Sequence, residues 1–236
     1  LRDQDTGTRV DSDRELDISV WSAVDGTPGL GMTGVSSATL GNGYALINQS
    51  YSRAENVYVH VADDQGLSGN SAIFAMGADG FKRLQILVPG EEIRPGQAEF
   101  MDSGKTGAPD VQRSRIAFPA TVRAVDQFWN LVDTETAGAI TFSATDNSVG
   151  EGNPMDMGMP FVNGKRTFQL YLESEGQVDL SVWDEDRPEP PGQTVSVQVN
   201  PGYEYRITLP DLSPTTGYPG FQVIVEMIDP VTDEPA

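Results

Sequence analysis

The chain has no cysteine among its 236 residues. This absence excludes disulfide bonds and thiolate metal sites, so the packed core alone must hold the fold together. The chain also has a single histidine, His60, and a Ser-His-Asp triad has no other imidazole to use. His60 lies on the polar side of an alternating segment, so we expect a structural role for it and no enzymatic activity. Paired carboxylates for glycoside cleavage stay an open alternative, because a sequence does not show the distance between two acids.

Basic residues are scarce as well. The 15 lysines and arginines stand against 35 aspartates and glutamates, which leaves a formal net charge of −20. Such a charge repels phosphate backbones and anionic lipids, so we expect no nucleic-acid partner. No run of about 18 apolar residues is present, so we also expect no membrane insertion. Without cysteine, and with Leu1 rather than methionine at its start, the chain is expected to be a mature or excised segment of an exported bacterial protein.

Helical periodicity is also missing from the sequence. No window places apolar residues at i, i+3, i+4 and i+7, whereas many short segments alternate apolar and polar residues between turns rich in Gly, Pro, Asn and Asp. Alternation of this kind buries one face of a strand and leaves the other in water. The pattern predicts an all-β chain built from β-sandwiches. The side chains expected to be buried are Val57, Val59, Val61, Val122, Leu170, Val178, Leu180 and Val182.

What the sequence does contain is an internal repeat. Asn42-Gly43 and Val57–Val61 recur 121 residues later as Asn163-Gly164 and Val178–Val182. A second echo has a step of 103 residues. It relates Phe118, Val122, Val125 and Asp126 to Phe221, Val225, Ile228 and Asp229. A period near 120 residues is too long for one turn of a solenoid and indicates self-contained domains arranged in tandem.

The register of the repeat divides the chain into three parts. Residues 1–79 are the first unit, a shorter sandwich predicted to lack its first strand, in which Ala23–Asp25 echoes Ala124–Asp126. Residues 80–200 are the second unit, a full sandwich. Residues 201–236 are the tail, in which Tyr203–Pro210 repeats the segment Phe81–Pro89 and so supplies only the opening strands of a further repeat.

Two opening strands are marginally stable without a partner, so the tail predicts an interface. One alternative is that the tail adds strands to the first unit of another copy, which yields a head-to-tail filament. The other alternative, equally open, is that the chain is an excerpt and the tail pairs with adjacent repeats of a longer chain. The predicted interface residues are Tyr203, Tyr205, Ile207, Leu209, Phe221, Val223 and Val225.

Acidic turns provide the candidate metal ligands. Asp63 and Asp64 leave the strand at 57–61, and Asp184 and Asp186 leave its repeat, so the two pairs are expected at the same end of their units. Oxygen ligands on loops suit Ca²⁺, which takes 6–8 of them. The alternative is that these are ordinary solvated turns.

Trp129 leaves a similar choice between a plug at the end of the sandwich and a stacking platform for carbohydrate.

Motifs at turns and strand edges lie at Leu84–Gly90, Gly104–Gly107, Thr121–Asp126, Trp129–Val132 and Asn163-Gly164. These segments resemble the tandem Ig-like domains of large bacterial surface and secreted proteins, similar in plan to invasin and adhesin arrays. The resemblance implies tandem Ig-like sandwiches, an extracellular or cell-surface location and a role in spacing, adhesion or assembly without catalysis. The Asp184–Pro188 loop departs from the short turn usual in that family. An adhesin or glycan-binding module that uses loops at the sandwich ends is the alternative function, and an accessory domain of a secreted hydrolase is a third.

Overall fold

A computed structural model of the chain describes residues 13–97, 103–136, 140–145, 149–151, 160–186, 192–208 and 223–229. Within these ranges the regular structure is entirely β-strand, and no helix there is long and apolar enough to cross a membrane. The strands are β1 (Glu15–Ser22), β2 (Ser37–Thr39), β3 (Asn56–Asp63), β4 (Ser68–Asn70), β5 (Phe74–Ala75), β6 (Arg83–Leu87), β7 (Glu91–Ile93), β8 (Lys105–Gly107), β9 (Gln112–Arg113), β10 (Phe118–Val125), β11 (Ile140–Ala144), β12 (Val149–Glu151), β13 (Lys165–Leu172), β14 (Gly176–Asp184), β15 (Thr194–Asn200), β16 (Glu204–Thr208) and β17 (Ile224–Ile228).

The second unit is a complete β-sandwich. One sheet has the strand order β12-β13-β10-β6, and the other has the order β11-β14-β15-β9. Their facing side chains form one buried cluster, in which the rings of Phe142 and Phe168 meet edge to face with centroids 5.0 Å apart. The alternating strands of this unit bury one face each, as the apolar pattern requires. The predicted all-β sandwich fold is therefore confirmed.

The first unit shows one layer of a sandwich in the described residues. Its sheet has the order β2-β1-β3-β4, and β5 also pairs with β3. Val20, Tyr51 and Val57 form a small buried cluster against which Met76 packs. The described residues of the first unit therefore form a single sheet, and the sandwich predicted for this unit stays a prediction.

Most of the predicted core positions are buried. Val57, Val122, Leu170, Val178, Leu180 and Val182 are all at most 2% exposed. The prediction was wrong for Val59 and Val61, which are only half-buried. They lie on the predicted face of β3, opposite Val20 and Ile18 of β1, but no second sheet lies over that end of the face in the described residues.

The repeat is visible in backbone geometry. Asn42 and Gly43 have φ values of 53° and 74°, and Asn163 and Gly164 have φ values of 51° and 69°. Two successive residues with positive φ are typical of a type I′ turn, for which Asn-Gly is a preferred sequence. The bridges that close the two turns, Gly41 with Tyr44 and Val162 with Lys165, are also related by the 121-residue step.

Sheet register corrects one predicted correspondence. Ile18 pairs with Val61 in the first unit, and Phe142 pairs with Val182 in the second, so β1 is the counterpart of β11. The echo of Ala23–Asp25 in Ala124–Asp126 equates the turn after β1 with the end of β10. That reading was wrong, since Val24 is 82% exposed in a turn whereas Val125 is fully buried.

The tail forms a hairpin, the tail hairpin, from β16 and β17. Ile207 pairs with Val225, and Tyr205 pairs with Met227. In the second unit, Ile86 pairs with Val122, and Leu84 pairs with Ala124. Adding 121 to the residue numbers of β6 and 103 to those of β10 gives the two pairs of the tail hairpin. The tail hairpin is therefore a structural copy of the β6–β10 pair, in the same register.

Candidate functional site

The joint between the first two units is built around Asp126, at the end of β10. Its carboxylate is 1% exposed. One oxygen accepts the backbone N–H groups of Phe128 and Asn130 at 2.8 and 2.9 Å. The other oxygen accepts the N–H of Asp79 at 3.0 Å and the side-chain amide of Asn130 at 2.9 Å. Asp126 therefore fixes the connecting segment to the second unit and orients Asn130.

Asn130 carries the contact with the first unit. Its amide group donates to the carbonyl of Ser52 at 2.8 Å, and its side-chain oxygen accepts the N–H of Ala54 at 2.9 Å. The Ser52 hydroxyl donates to the carbonyl of Gly96 at 2.5 Å. Since Asn130 is only 3% exposed, these hydrogen bonds are shielded from water, which makes their loss costly.

Trp129 holds this turn in place. Its φ is 65°, in the left-handed region, and a Cβ added to Gly104 would come within 2.3 Å of its ring. The guanidinium of Arg83 lies 5.0 Å from the ring centroid. The side chain is 3% exposed, so Trp129 acts as a plug at the end of the sandwich. The alternative of a carbohydrate-stacking platform was wrong, because the ring face is covered.

A second joint connects the second unit to the tail. The Arg113 guanidinium forms a two-pronged ion pair with Asp229, and this partner raises the pKa of Arg113 above its usual value. Arg113 also donates to the carbonyl of Pro201 at 3.2 Å and lies 4.7 Å from the ring centroid of Tyr203. Asp229 follows β17 as Asp126 follows β10. Both joints therefore use the aspartate that ends the same strand of the repeat.

The first unit has an open apolar groove on its sheet, of about 400 Å³. Leu16, Val59 and Val61 lie on one face of β1 and β3 and line this groove, together with Leu40 and Leu67. By position in the sheet, the first three correspond to Ile140, Leu180 and Val182, all of which are buried in the core of the second unit. The groove is thus the uncovered part of a core-facing surface.

The tail hairpin also exposes apolar side chains. Tyr205 and Ile207 are 73% and 66% exposed, and Val225 is also exposed. Their counterparts in the β6–β10 pair belong to the core of the second unit. The predicted interface residues Tyr203 and Val223 are exposed as well, whereas Leu209 and Phe221 lie outside the described residues.

Two of the predicted metal ligands, Asp63 and Asp184, accept hydrogen bonds from backbone N–H groups in turns. Asp63 accepts the N–H groups of Gln65 and Leu67 at 3.0 and 2.8 Å. Its other oxygen accepts from Arg14 at 2.5 Å, and this bond lowers the pKa of Asp63. Asp184 accepts the N–H of Asp186 at 3.0 Å. Asp64 lies in the turn that follows β3. Within the described ranges, no three or more His, Asp or Glu side chains are grouped to hold a metal ion.

The acidic residues Asp146 and Asp156 lie outside the described residues, and calcium binding stays a prediction. If a calcium site forms, millimolar Ca²⁺ is expected to raise the melting temperature above that measured with chelator. At Ca²⁺ concentrations well above Kd, the free energy of unfolding is expected to increase by about 1 to 3 kcal/mol. Sodium chloride at matched ionic strength is the control. Identical melting temperatures in calcium and in chelator would contradict calcium binding.

His60 has a structural environment. Its Nδ1 lies 2.6 Å from the side-chain oxygen of Asn70 on the neighbouring strand, and its ring centroid lies 4.9 Å from that of Trp21. The cross-strand role predicted for His60 matches these contacts.

No protein-family model matches the chain, and no curated protein matches its sequence. Several solved structures are similar at low scores. A β-glycosidase from Bacteroides vulgatus aligns with 12% identity and a TM-score of 0.33, over 79% of this chain and 21% of that one. The D0-D1 domain of intimin aligns with 14% identity and a TM-score of 0.27, over 84% and 87%. Domains 4 and 5 of the S-layer protein SbsC align with 14% identity and a TM-score of 0.23, over 85% and 78%.

The chain thus spans about a fifth of the length of that glycosidase. Identities and scores this low transfer neither activity nor partners to this chain. The Ig-like likeness stays a resemblance. The features that bear on function are the two joints, the groove of the first unit and the exposed surface of the tail hairpin.

Proposed function

We propose that this chain is a non-enzymatic extracellular structural protein, a repeat segment that spaces or polymerises a cell-surface assembly by strand complementation. The observation that supports it most is the tail hairpin, which repeats the β6–β10 pair in the same register. A first unit and a tail hairpin that carry different layers of one sandwich are suited to pairing between copies. The division into units at 79/80 and 200/201 is part of this proposal.

The two joints support a spacing role. The first combines buried hydrogen bonds from Asp126 and Asn130, and the second combines an ion pair with a cation–π contact at Arg113. Bonds of this kind restrict rotation between units, which a spacer needs in order to hold a fixed length. The alternative of an adhesin or glycan-binding module needs exposed aromatic residues beside acids at a sandwich end, and the buried Trp129 supplies none.

Replacing Asn130 by alanine tests the spacing role. The change removes both bonds to Ser52 and Ala54, and leaving those backbone groups unpaired costs about 1–3 kcal/mol each. Small-angle X-ray scattering is expected to report a wider range of orientations between the units, while circular dichroism keeps the β spectrum. Asn56→Ala, at an exposed position of β3, is the matched control. Scattering that is the same for both variants would contradict a rigid joint.

A further inference from the structure

The first unit and the tail hairpin are opposite halves of one sandwich. In the first unit, β3 is flanked by β1 and β4, as β14 is flanked by β11 and β15 in the second unit. His60 pairs with Asn70, as Ser181, its counterpart 121 residues on, pairs with Thr194. The first sheet is therefore the β11–β14–β15 layer, whereas the tail hairpin is the β6–β10 part of the opposing layer.

The first unit also contains a segment that corresponds to β13. Residues 44–47 follow the Asn42-Gly43 turn as β13 follows the Asn163-Gly164 turn. In the second unit, β13 pairs with β10, but residues 44–47 lie outside every strand. Ile47, the counterpart of the buried Phe168, is only half-buried there. Among the described residues of the first unit no strand corresponds to β10, and β17 is the copy of β10.

The exposed faces of the two halves match those that bury each other in the second unit. Core cluster members on β6 and β10 lie in the sheet opposite β14, and β6 contacts β14 across the sandwich. Their described counterparts in the tail hairpin, Tyr205, Ile207 and Val225, are exposed, and Val59 and Val61, the counterparts of Leu180 and Val182, line the groove. Joining the two halves would cover both apolar surfaces, which is the main favourable term in association.

We infer that the tail hairpin of one copy docks on the first unit of a second copy and completes its sandwich, with β17 pairing antiparallel to residues 44–47. This inference rests on the proposed structural role and names the partner and the register. The second unit pairs Ala120 with Phe168, Thr121 with Thr167 and Val122 with Arg166. The same register places Val223 opposite Ile47, Ile224 opposite Leu46 and Val225 opposite Ala45.

The joint at Arg113 completes the geometry. The ion pair between Asp229 and Arg113 attaches the tail hairpin to the second unit of its own copy. The completed sandwich therefore takes one layer from this copy and the other layer from the first unit of the next copy. The tail surface and the first-unit surface are different, so the contact is heterologous. A heterologous contact that does not close into a ring propagates as a filament.

Cysteine cross-linking tests the register, because the chain contains no cysteine of its own. Leu46→Cys and Ile224→Cys both change exposed side chains. Directly opposed residues of antiparallel strands have Cα atoms about 4.5–5.5 Å apart, within the range of a disulfide. The two single variants, one carrying a size tag, are mixed and oxidised mildly, and the products are separated without reductant.

The expected result is loss of both monomer bands to a disulfide-linked heterodimer. The matched control mixes Leu46→Cys with Ser196→Cys, whose cysteine lies at an exposed position of β15, and is expected to stay monomeric. Equal heterodimer in both mixtures, or none in either, would overturn the inference. So would a Leu46→Cys/Ile224→Cys double variant that cross-links only within one molecule. If cross-linking fails while Asn130→Ala still broadens the scattering, the spacing role stands and the second-copy partner is removed.

Discussion

Replacing Val182 by aspartate is expected to unfold the second unit, whereas the same change at Val61 leaves the first unit folded. Val182 is 1% exposed in the core between the two sheets, so its carboxylate would be buried without a partner. A buried unpaired charge belongs to the class of substitutions that cost about 4 kcal/mol or more. Val61 occupies the equivalent position of the first sheet, but it lines the open groove. There the carboxylate reaches water, and the cost is about 1 kcal/mol or less.

Thermal unfolding followed by circular dichroism checks this pair, with each variant measured at a protein concentration low enough to keep copies apart. The two substitutions are identical in chemistry and 121 residues apart, so the difference between them isolates the effect of the missing second layer. Similar destabilisation by both variants would mean that the groove is closed in solution. At higher concentration, Val61→Asp is also expected to weaken association, since it places a charge where the tail hairpin docks.

The sequence predicted the fold well wherever the alternation of side chains decides the structure. The buried faces of β13, β14 and β15 follow directly from their period of two residues. The repeat located the Asn-Gly turns and identified the tail as a copy of β6 and β10. These features are local or are repeated within the chain, so the sequence alone is sufficient to predict them.

The sequence did not predict how much of each face is covered. Val59 and Val61 have the same alternation as Leu180 and Val182 but remain half-buried, because coverage depends on a second sheet that alternation does not report. The short echo at Ala23–Asp25 also misassigned β1, since three residues in a turn carry less information than the register of a whole strand.

The joints were missed for a related reason. Asn130 contacts Ser52 across 78 residues, and Arg113 contacts Asp229 across 116, so no local pattern marks either pair. One signal was present. Asp126 and Asp229 share a place in the 103-residue echo, and an aspartate kept at the end of a repeated strand beside a unit boundary indicated a role at the boundary.

The tail is expected to decide whether copies of this chain associate. A chain that ends at Asn200 keeps all strands of both sheets in the second unit but lacks the hairpin that fills the groove. It is expected to lose association completely, since the groove then has no partner strand. Full-length Val225→Asp provides a second test that keeps the chain length. Val225 is exposed, so the aspartate leaves folding intact and opposes only the burial of the docked face.

If the first unit and the tail hairpin are complementary halves of one sandwich, copies of the chain associate through them. Sedimentation velocity across a range of concentrations tests this association most directly, with the full chain, the chain ending at Asn200 and Val225→Asp measured side by side. The sedimentation coefficient of the full chain is expected to rise with concentration while both variants stay monomeric. A full chain that remains monomeric at every concentration, or a truncated chain that assembles to the same extent as the full one, would contradict it.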